Sequence, residues 1–212
     1  MLTILNDRFT MFNNFKVINN DILKVDLNSL IKEEKVNSIK HVKIVANLPY
    51  YITTPIIMKL LEDKLDIETI TVMVQKEVAD RLTEKPGQGE TGAITYAINY
   101  YTNPKKILQV PNTSFIPSPE VNSTVILLEV LREPKVKVES EELFFNIIKQ
   151  AFMQKRKTLL NSLANSNILR DKQEVEKMLL DLRIDTKIRA EKLTLEEFAD
   201  IANYIFKKKG QN

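Results

Sequence analysis

The sequence predicts an α/β sheet that gives way, near residue 134, to a small all-helical domain. Three observations predict it. Apolar runs of strand length alternate with stretches of helical spacing through the first two-thirds of the chain; only helical spacing follows Glu141; and the change falls at Arg132-Glu133-Pro134.

Taken in order, residues 1–10 read as a helix. Phe15-Lys16-Val17-Ile18 reads as a strand stopped by Asn19-Asn20-Asp21. Val42 to Ala46 is a second strand, ending at Asn47. Ile56 to Leu61 has helical spacing behind Pro55, a residue suited to a first turn. Ile70 to Val74 is a third strand, followed by a polar helix over Lys76 to Thr83. Ile94 to Tyr101 is helical, and Lys106 to Val110 and Val125 to Val130 close the sheet. Strands interleaved with helices imply a sheet covered on both faces. Beyond it, helices are expected over Glu141–Ser162, Lys172–Leu182 and Leu195–Lys208, with Ser140 and Thr194 as N-caps ahead of acidic first turns. The expected domains are residues 1–134 and 135–212.

Composition narrows the chemistry. The 212 residues are 43% hydrophobic and 28% charged, an ordinary globular balance. With no cysteine, the chain has no disulfide, thiolate metal site or cysteine nucleophile. A single histidine, His41, cannot build a multi-histidine metal site and is expected on a strand edge or the surface. No apolar run reaches the ~20 residues of a membrane helix, and the opening Met1–Leu5 meets Asp7 and Arg8 too early for a signal peptide. A soluble, cytoplasmic monomer without a metal is expected. Residues 1–134 carry 15 Lys/Arg against 16 Asp/Glu, and residues 135–212 carry 16 against 12. A neutral front and a basic back point weakly toward phosphate.

Asn47-Leu48-Pro49-Tyr50 directly follows an apolar strand, where open α/β sheets place ligand sites. An exocyclic adenine amine is a poor nucleophile because its lone pair is delocalised into the ring. Two acceptors aimed at its hydrogens, an Asn oxygen and a backbone carbonyl, would favour the pyramidal amine. Proline stiffens such a loop, and tyrosine offers a face for a flipped base. Four residues alone favour a plainer reading, a strand end with a proline turn and a core tyrosine.

The match extends further. Asn47 to Ile57, Val74 to Leu82 with Lys85-Pro86-Gly87, Val110-Pro111 with Phe115-Ile116-Pro117-Ser118-Pro119-Glu120-Val121-Asn122-Ser123, Ala151 to Leu159, and Arg189 to Thr194 form five ordered blocks. Together they resemble the small-subunit ribosomal-RNA adenine N6,N6-dimethyltransferases, the KsgA-like family, along nearly the whole chain. The resemblance implies a class I (Rossmann-like) methyltransferase sheet with a helical rRNA-binding domain. It implies dimethylation of adjacent adenines near the 3′ end of small-subunit rRNA in the immature 30S subunit, with S-adenosylmethionine as methyl donor and no metal. Asn47 and the Leu48 carbonyl would hold the target amine, Pro49 would stiffen the loop, Tyr50 would stack on the base, and Phe115 would close its other side. Asp21 would accept from the cofactor's adenine amine, with Asn47 also on the cofactor. Lys149, Lys155, Arg156 and Lys157, read as one helix with Phe144, Ile148 and Phe152 on its other side, would meet rRNA phosphates.

The sequence also departs from that family. The Gly-x-Gly cofactor loop and the ribose-binding acid that follows it are absent, the first glycine being Gly87, and Glu90-Thr91-Gly92 lacks the tyrosine that the family usually has before the glycine. The expectation is a sheet truncated at its N-terminal side, by at least roughly the 30 residues of a βαβ unit. A fragment of an active enzyme, one half of a split protein, and a non-catalytic rRNA-binding assembly factor all fit, with the first favoured.

Overall fold

The computed structural model describes residues 2–35, 40–154, 156–169 and 171–210. Four strands form one sheet among these residues: β1 (Lys43–Asn47), β2 (Thr69–Gln75), β3 (Thr102–Val110) and β4 (Ser123–Val130), in the order β1-β2-β4-β3. β1 runs parallel to β2, while β4 is antiparallel to both β2 and β3. The parallel step needs a crossover, which α3 (Thr53–Glu62) supplies. Alternation along β2 sends Ile70, Val72 and Val74 into full burial, while Thr69, Thr71, Met73 and Gln75 are half-buried. Ile70, Val72 and Val74 share a core with Ile126 and Leu128 of β4, with Ile56, Ile57, Leu60 and Leu61 of α3, and with Ala79 and Leu82 of α4 (Lys76–Thr83). Cover on the two faces is uneven: Val125 and Leu127 of β4 stay half-buried on the face of Thr69, Thr71, Met73 and Gln75, opposite the fully buried Ile126 and Leu128.

The N-terminal region corrects two expectations. Residues 27–35 form a helix, α2, after the helix α1 (Leu2–Phe9), where the sequence reading placed no element. Phe15-Lys16-Val17-Ile18 is not a strand. A strand exists through its ladder partner, and none lies beside this segment among the described residues. Its Phe15 ring instead stacks on Phe9 at 4.2 Å, with Phe12 at 5.8 Å from Phe9. His41 sits at the surface as expected, its Nδ1 paired with Glu68.

After β4 the described residues contain only helices: α6 (Glu141–Met153), α7 (Leu159–Ala164), α8 (Lys172–Asp181) and α9 (Leu195–Lys209). Ser140 caps α6 by accepting from Leu143 N, and Thr194 with Glu197 forms a reciprocal capping box at α9. The single helix expected over Glu141–Ser162 is two. Gln154 leaves helical geometry at φ −122°, ψ 73°, and Thr158 then caps α7 by accepting from Asn161 N. The apolar spacing continues through the break because both helices feed the same core, and so periodicity could not reveal it.

Helix α5 (Ala93–Tyr101) belongs to both cores. Ile98 packs with the sheet, whereas Tyr96 and Tyr100 pack with Phe144, Phe198 and the other helical residues. The Tyr96 hydroxyl is shared between Leu193 O at 2.7 Å and Ala190 O at 3.0 Å. Beside it Gly87 takes φ +83°, and a Cβ there would stand 3.3 Å from the carbonyl oxygens of Lys192 and Leu193. Both the conformation and the close approach require glycine. The Lys85-Pro86-Gly87 and Arg189–Thr194 blocks are thus two sides of one contact.

Burial pushes the Tyr96 hydroxyl up to about 12. A raised folded-state pKa means its stabilisation is complete below the free tyrosine value of about 10 and is lost as pH rises through about 12. Tyr96→Phe strands two carbonyls and should cost about 1–3 kcal/mol in denaturant unfolding at neutral pH. It should also remove part of the alkaline destabilisation, leaving the shares of Tyr100, itself pushed up to about 12 by burial, and of Tyr101, which burial raises further.

Candidate active site

The sheet topology collects three loops at one edge. Because β1 and β2 are parallel and β4 opposes β2, the chain leaves β1 at Asn47 and β2 at Gln75 on the same side from which it enters β4 at Ser123. β3 ends there as well, with Val110 opposite Ser123. Asn47, Leu48, Pro49 and Tyr50 line one wall of an open cleft of about 360 Å³, and Phe115, Pro117 and Pro119 line the other.

The first wall is held locally. Pro49 is extended, at φ −60°, ψ 132°, and its carbonyl accepts from Ile52 N at 3.2 Å and from the Thr53 hydroxyl at 3.1 Å. These bonds turn residues 50–52 into a short 3-10 turn that runs straight into α3. Leu48 is buried and anchors the loop in the sheet core. Asn47 is exposed, and among the described residues nothing hydrogen-bonds its side chain. Its oxygen and amide are free for a ligand. Tyr50 is half-buried, its hydroxyl 2.7 Å from Ser123 Oγ, whereas Tyr51 points outward and is 84% exposed.

The second wall is a cross-linked loop. Asn112 donates through its side-chain amide to Pro119 O at 3.1 Å, and its carbonyl accepts from Ser118 Oγ at 2.9 Å and from Phe115 N at 3.2 Å. Asn122 Oδ1 accepts from Asn112 N at 2.9 Å. The Ile116–Pro117 peptide is cis, and Ile116 is fully exposed beside the half-buried Phe115. Two aromatic rings, three prolines and a free amide therefore face one slot open to solvent, a shape that fits a flat, polar-edged ring.

A model of the ribosomal RNA adenine dimethylases matches residues 1–207. The chain belongs to that family. It is 47% identical to the ribosomal RNA small subunit methyltransferase A of Alkaliphilus oremlandii, over 98% of this chain and 72% of that protein. It is 46% identical to the protein of the same name from a Geobacillus species, over 96% of this chain and 70% of that one. A solved dimethyladenosine transferase from Plasmodium falciparum superposes with a TM-score of 0.76 at 22% identity, over 98% of this chain and 78% of that structure, a likeness of fold. The rRNA adenine dimethylases are S-adenosylmethionine-dependent methyltransferases, so the α/β class I fold and the rRNA adenine methyltransferase class expected from the sequence hold.

The remaining sequence-derived candidates are scattered. Asp21 lies in a turn rather than at a strand end. Its Oδ1 accepts from Leu23 N at 3.0 Å, and it is not among the residues that line the cleft. Asp21 and Asn47 are thus one turn-bound carboxylate and one amide that nothing hydrogen-bonds among the described residues. Lys149 is exposed on α6, but Arg156 and Lys157 fall in the loop between α6 and α7, not on the same helix, and Lys155 lies outside the described residues. Lys149, Arg156 and Lys157 form no ion pair among the described residues. Among those residues there is also no cluster of three or more potential metal ligands, and no helix is long and apolar enough to cross a membrane. Sequence reasoning quoted Asn122 and Ser123 within the Phe115 block without giving them roles, and it did not single out Asn112. Only a buried serine opening an otherwise apolar strand could have flagged one of them.

Proposed function

We propose that the cleft receives an adenine of small-subunit rRNA and presents its N6 amine for methylation, twice at each of two adjacent adenines near the 3′ end of the RNA. The observation that carries this reading is the meeting of Asn47–Tyr50 with Phe115–Pro119 in one slot. A base slid between Tyr50 and Phe115 directs its N6 hydrogens at the Asn47 oxygen and the Leu48 carbonyl. Those acceptors draw the amine toward the pyramidal, nucleophilic form, and stacking offsets the cost of unstacking the base from the RNA. Residues 1–134 serve as the catalytic domain. Residues 135–212 serve as the rRNA-binding domain of a monomer, with Lys149, Lys155, Arg156 and Lys157 on phosphates.

A second reading, an rRNA-binding assembly factor without catalysis, has one observation in its favour. Among the expected cofactor contacts Asp21 already has one carboxylate oxygen engaged in its own turn, where Oδ1 accepts from Leu23 N. The two readings part on cofactor binding.

Joined to the stretch of the Alkaliphilus relative that this chain does not match, the protein should transfer methyl groups to small-subunit rRNA. Asn47→Ala in that chimera should lower the rate on the order of 100-fold, as removal of one preorganised polar group does elsewhere, with RNA affinity nearly unchanged. Full activity in Asn47→Ala would remove the residue from its role. Calorimetry of the 212-residue chain with S-adenosylmethionine should show binding far weaker than the chimera's, since several hydrogen bonds at about 0.5–1.5 kcal/mol each compound to orders of magnitude. A micromolar dissociation constant for the 212-residue chain would make it a working enzyme alone. RNA binding by the same chain should weaken steeply with salt, and Arg156→Ala with Lys157→Ala should lower the log–log slope by about 2. Salt-insensitive binding would rule out phosphate contact as its basis.

A further inference from the structure

The proposed chemistry uses both walls of the cleft and requires that they stay one ring's thickness apart. Two adjoining residues at the entry to β4 reach both. Ser123 is fully buried, in register with Gln75 of β2 on one side and Val110 of β3 on the other, and its Oγ meets the Tyr50 hydroxyl at 2.7 Å across 73 positions of sequence. Asn122 serves the opposite wall. Its side chain accepts from Asn112 N at 2.9 Å, and Asn112 in turn holds Phe115, Ser118 and Pro119. The Asn122 carbonyl accepts from Lys76 N at 2.9 Å, which fixes the dipeptide against the start of α4.

The neighbouring Thr124 provides a control within the structure. Its hydroxyl is as buried as that of Ser123, yet it has no partner. Burial at this end of β4 therefore does not by itself produce a hydrogen bond. The tie forms on the one side of the strand that faces the cleft, since successive residues point to opposite faces.

We propose that Asn122 and Ser123 are positioning residues: from one strand end they hold the Tyr50 ring and the Phe115 loop at a set separation, so that the slot is already open to an incoming base. A tyrosine anchored only at its Cα sweeps several rotamers and must be frozen when a base stacks on it. One tethered at its hydroxyl as well is frozen beforehand, and the binding of the base no longer bears that entropy. Asn122 does the same for the other wall by holding the short loop that carries Phe115. The inference rests on the cleft being the place where an adenine stacks.

The test is a titration of a small-subunit rRNA hairpin carrying 2-aminopurine at the target position. The 212-residue chain would be compared with Tyr50→Ala, Tyr50→Phe, Ser123→Ala, Asn122→Ala and the Tyr50→Phe/Ser123→Ala double variant. Fluorescence at saturation reads stacking of the base, the midpoint reads RNA affinity, and thermal unfolding reads the fold. The unsubstituted chain should quench. Tyr50→Phe and Ser123→Ala should each shift the stacked-to-unstacked ratio by the same factor, roughly 3- to 10-fold for one hydrogen bond, with the double variant no worse than either. Asn122→Ala should also lower the ratio. The midpoint should weaken by no more than the factor by which the ratio falls, since stacking is linked to binding while the phosphate contacts elsewhere are kept. If Tyr50→Ala quenches as fully as the unsubstituted chain, the cleft is not where the base stacks, and the adenine reading and this proposal fall together. If Tyr50→Ala abolishes quenching while Tyr50→Phe or Ser123→Ala retains it, the adenine reading stands and the positioning role is overturned. A Ser123→Ala variant that unfolds at lower temperature but stacks the base fully would likewise reduce Ser123 to a structural residue.

Discussion

The antiparallel ladder between β2 and β4, seven residue pairs from Thr69↔Glu129 to Gln75↔Ser123, positions almost everything else around the sheet. It places the end of β2 beside the start of β4, and β1 and β3 then attach on its two outer sides. The loops after β1 and between β3 and β4 are thereby brought to one edge, although Tyr50 and Ser123 lie 73 residues apart. A slip of one residue in this ladder would turn Val72 and Ile126 out of the core and carry Ser123 away from Tyr50. Register and the shape of the slot are thus one constraint, enforced by the burial of aliphatic side chains that never touch a ligand.

A second constraint links the sheet to the helices behind it. Helix α5 gives Ile98 to one core and Tyr96 and Tyr100 to the other. Rings from both sides of the junction meet there. Tyr96 lies edge-on to Phe198 at 4.9 Å, and Tyr100 lies 5.1 Å from Phe144. Gly87 admits the Arg189–Thr194 segment to within van der Waals distance of its own backbone. Such shared burial favours a fixed relation between the cleft and the basic helices over a flexible tether.

The edge of the sheet at β1 is different. Val45, in the middle of that strand, is 80% exposed, and Met11, Phe12, Phe15 and Ile18 are exposed as well. The aromatic group of Phe9, Phe12 and Phe15 packs mainly on itself. In this part of the molecule local apolar patterning and the realised structure diverge: four residues with strand composition have no ladder to join, and composition without a partner does not make a strand.

The sequence by itself determined the class of the fold, the limits of most strands and helices, and the family. Alternation at Ile70–Val74, helical spacing at Lys76–Thr83 and the caps at Ser140 and Thr194 are local properties, set by backbone geometry within a few residues. The Asn47–Tyr50 and Phe115–Pro119 loops were singled out through the resemblance of several ordered blocks to one family, with Asn47–Tyr50 also placed directly after an apolar strand. What only the tertiary structure decided involves separations that no local pattern encodes. These are the closure of the two loops into one slot, the tie from Ser123 to Tyr50, the turning of Asp21 into its own loop, and the break after Met153 that moves Arg156 and Lys157 off the helix of Lys149. A hydrogen bond across 73 residues depends on where the whole sheet places its ends. A helix break inside a continuous apolar stripe is hidden from the pattern because both halves enter the same core.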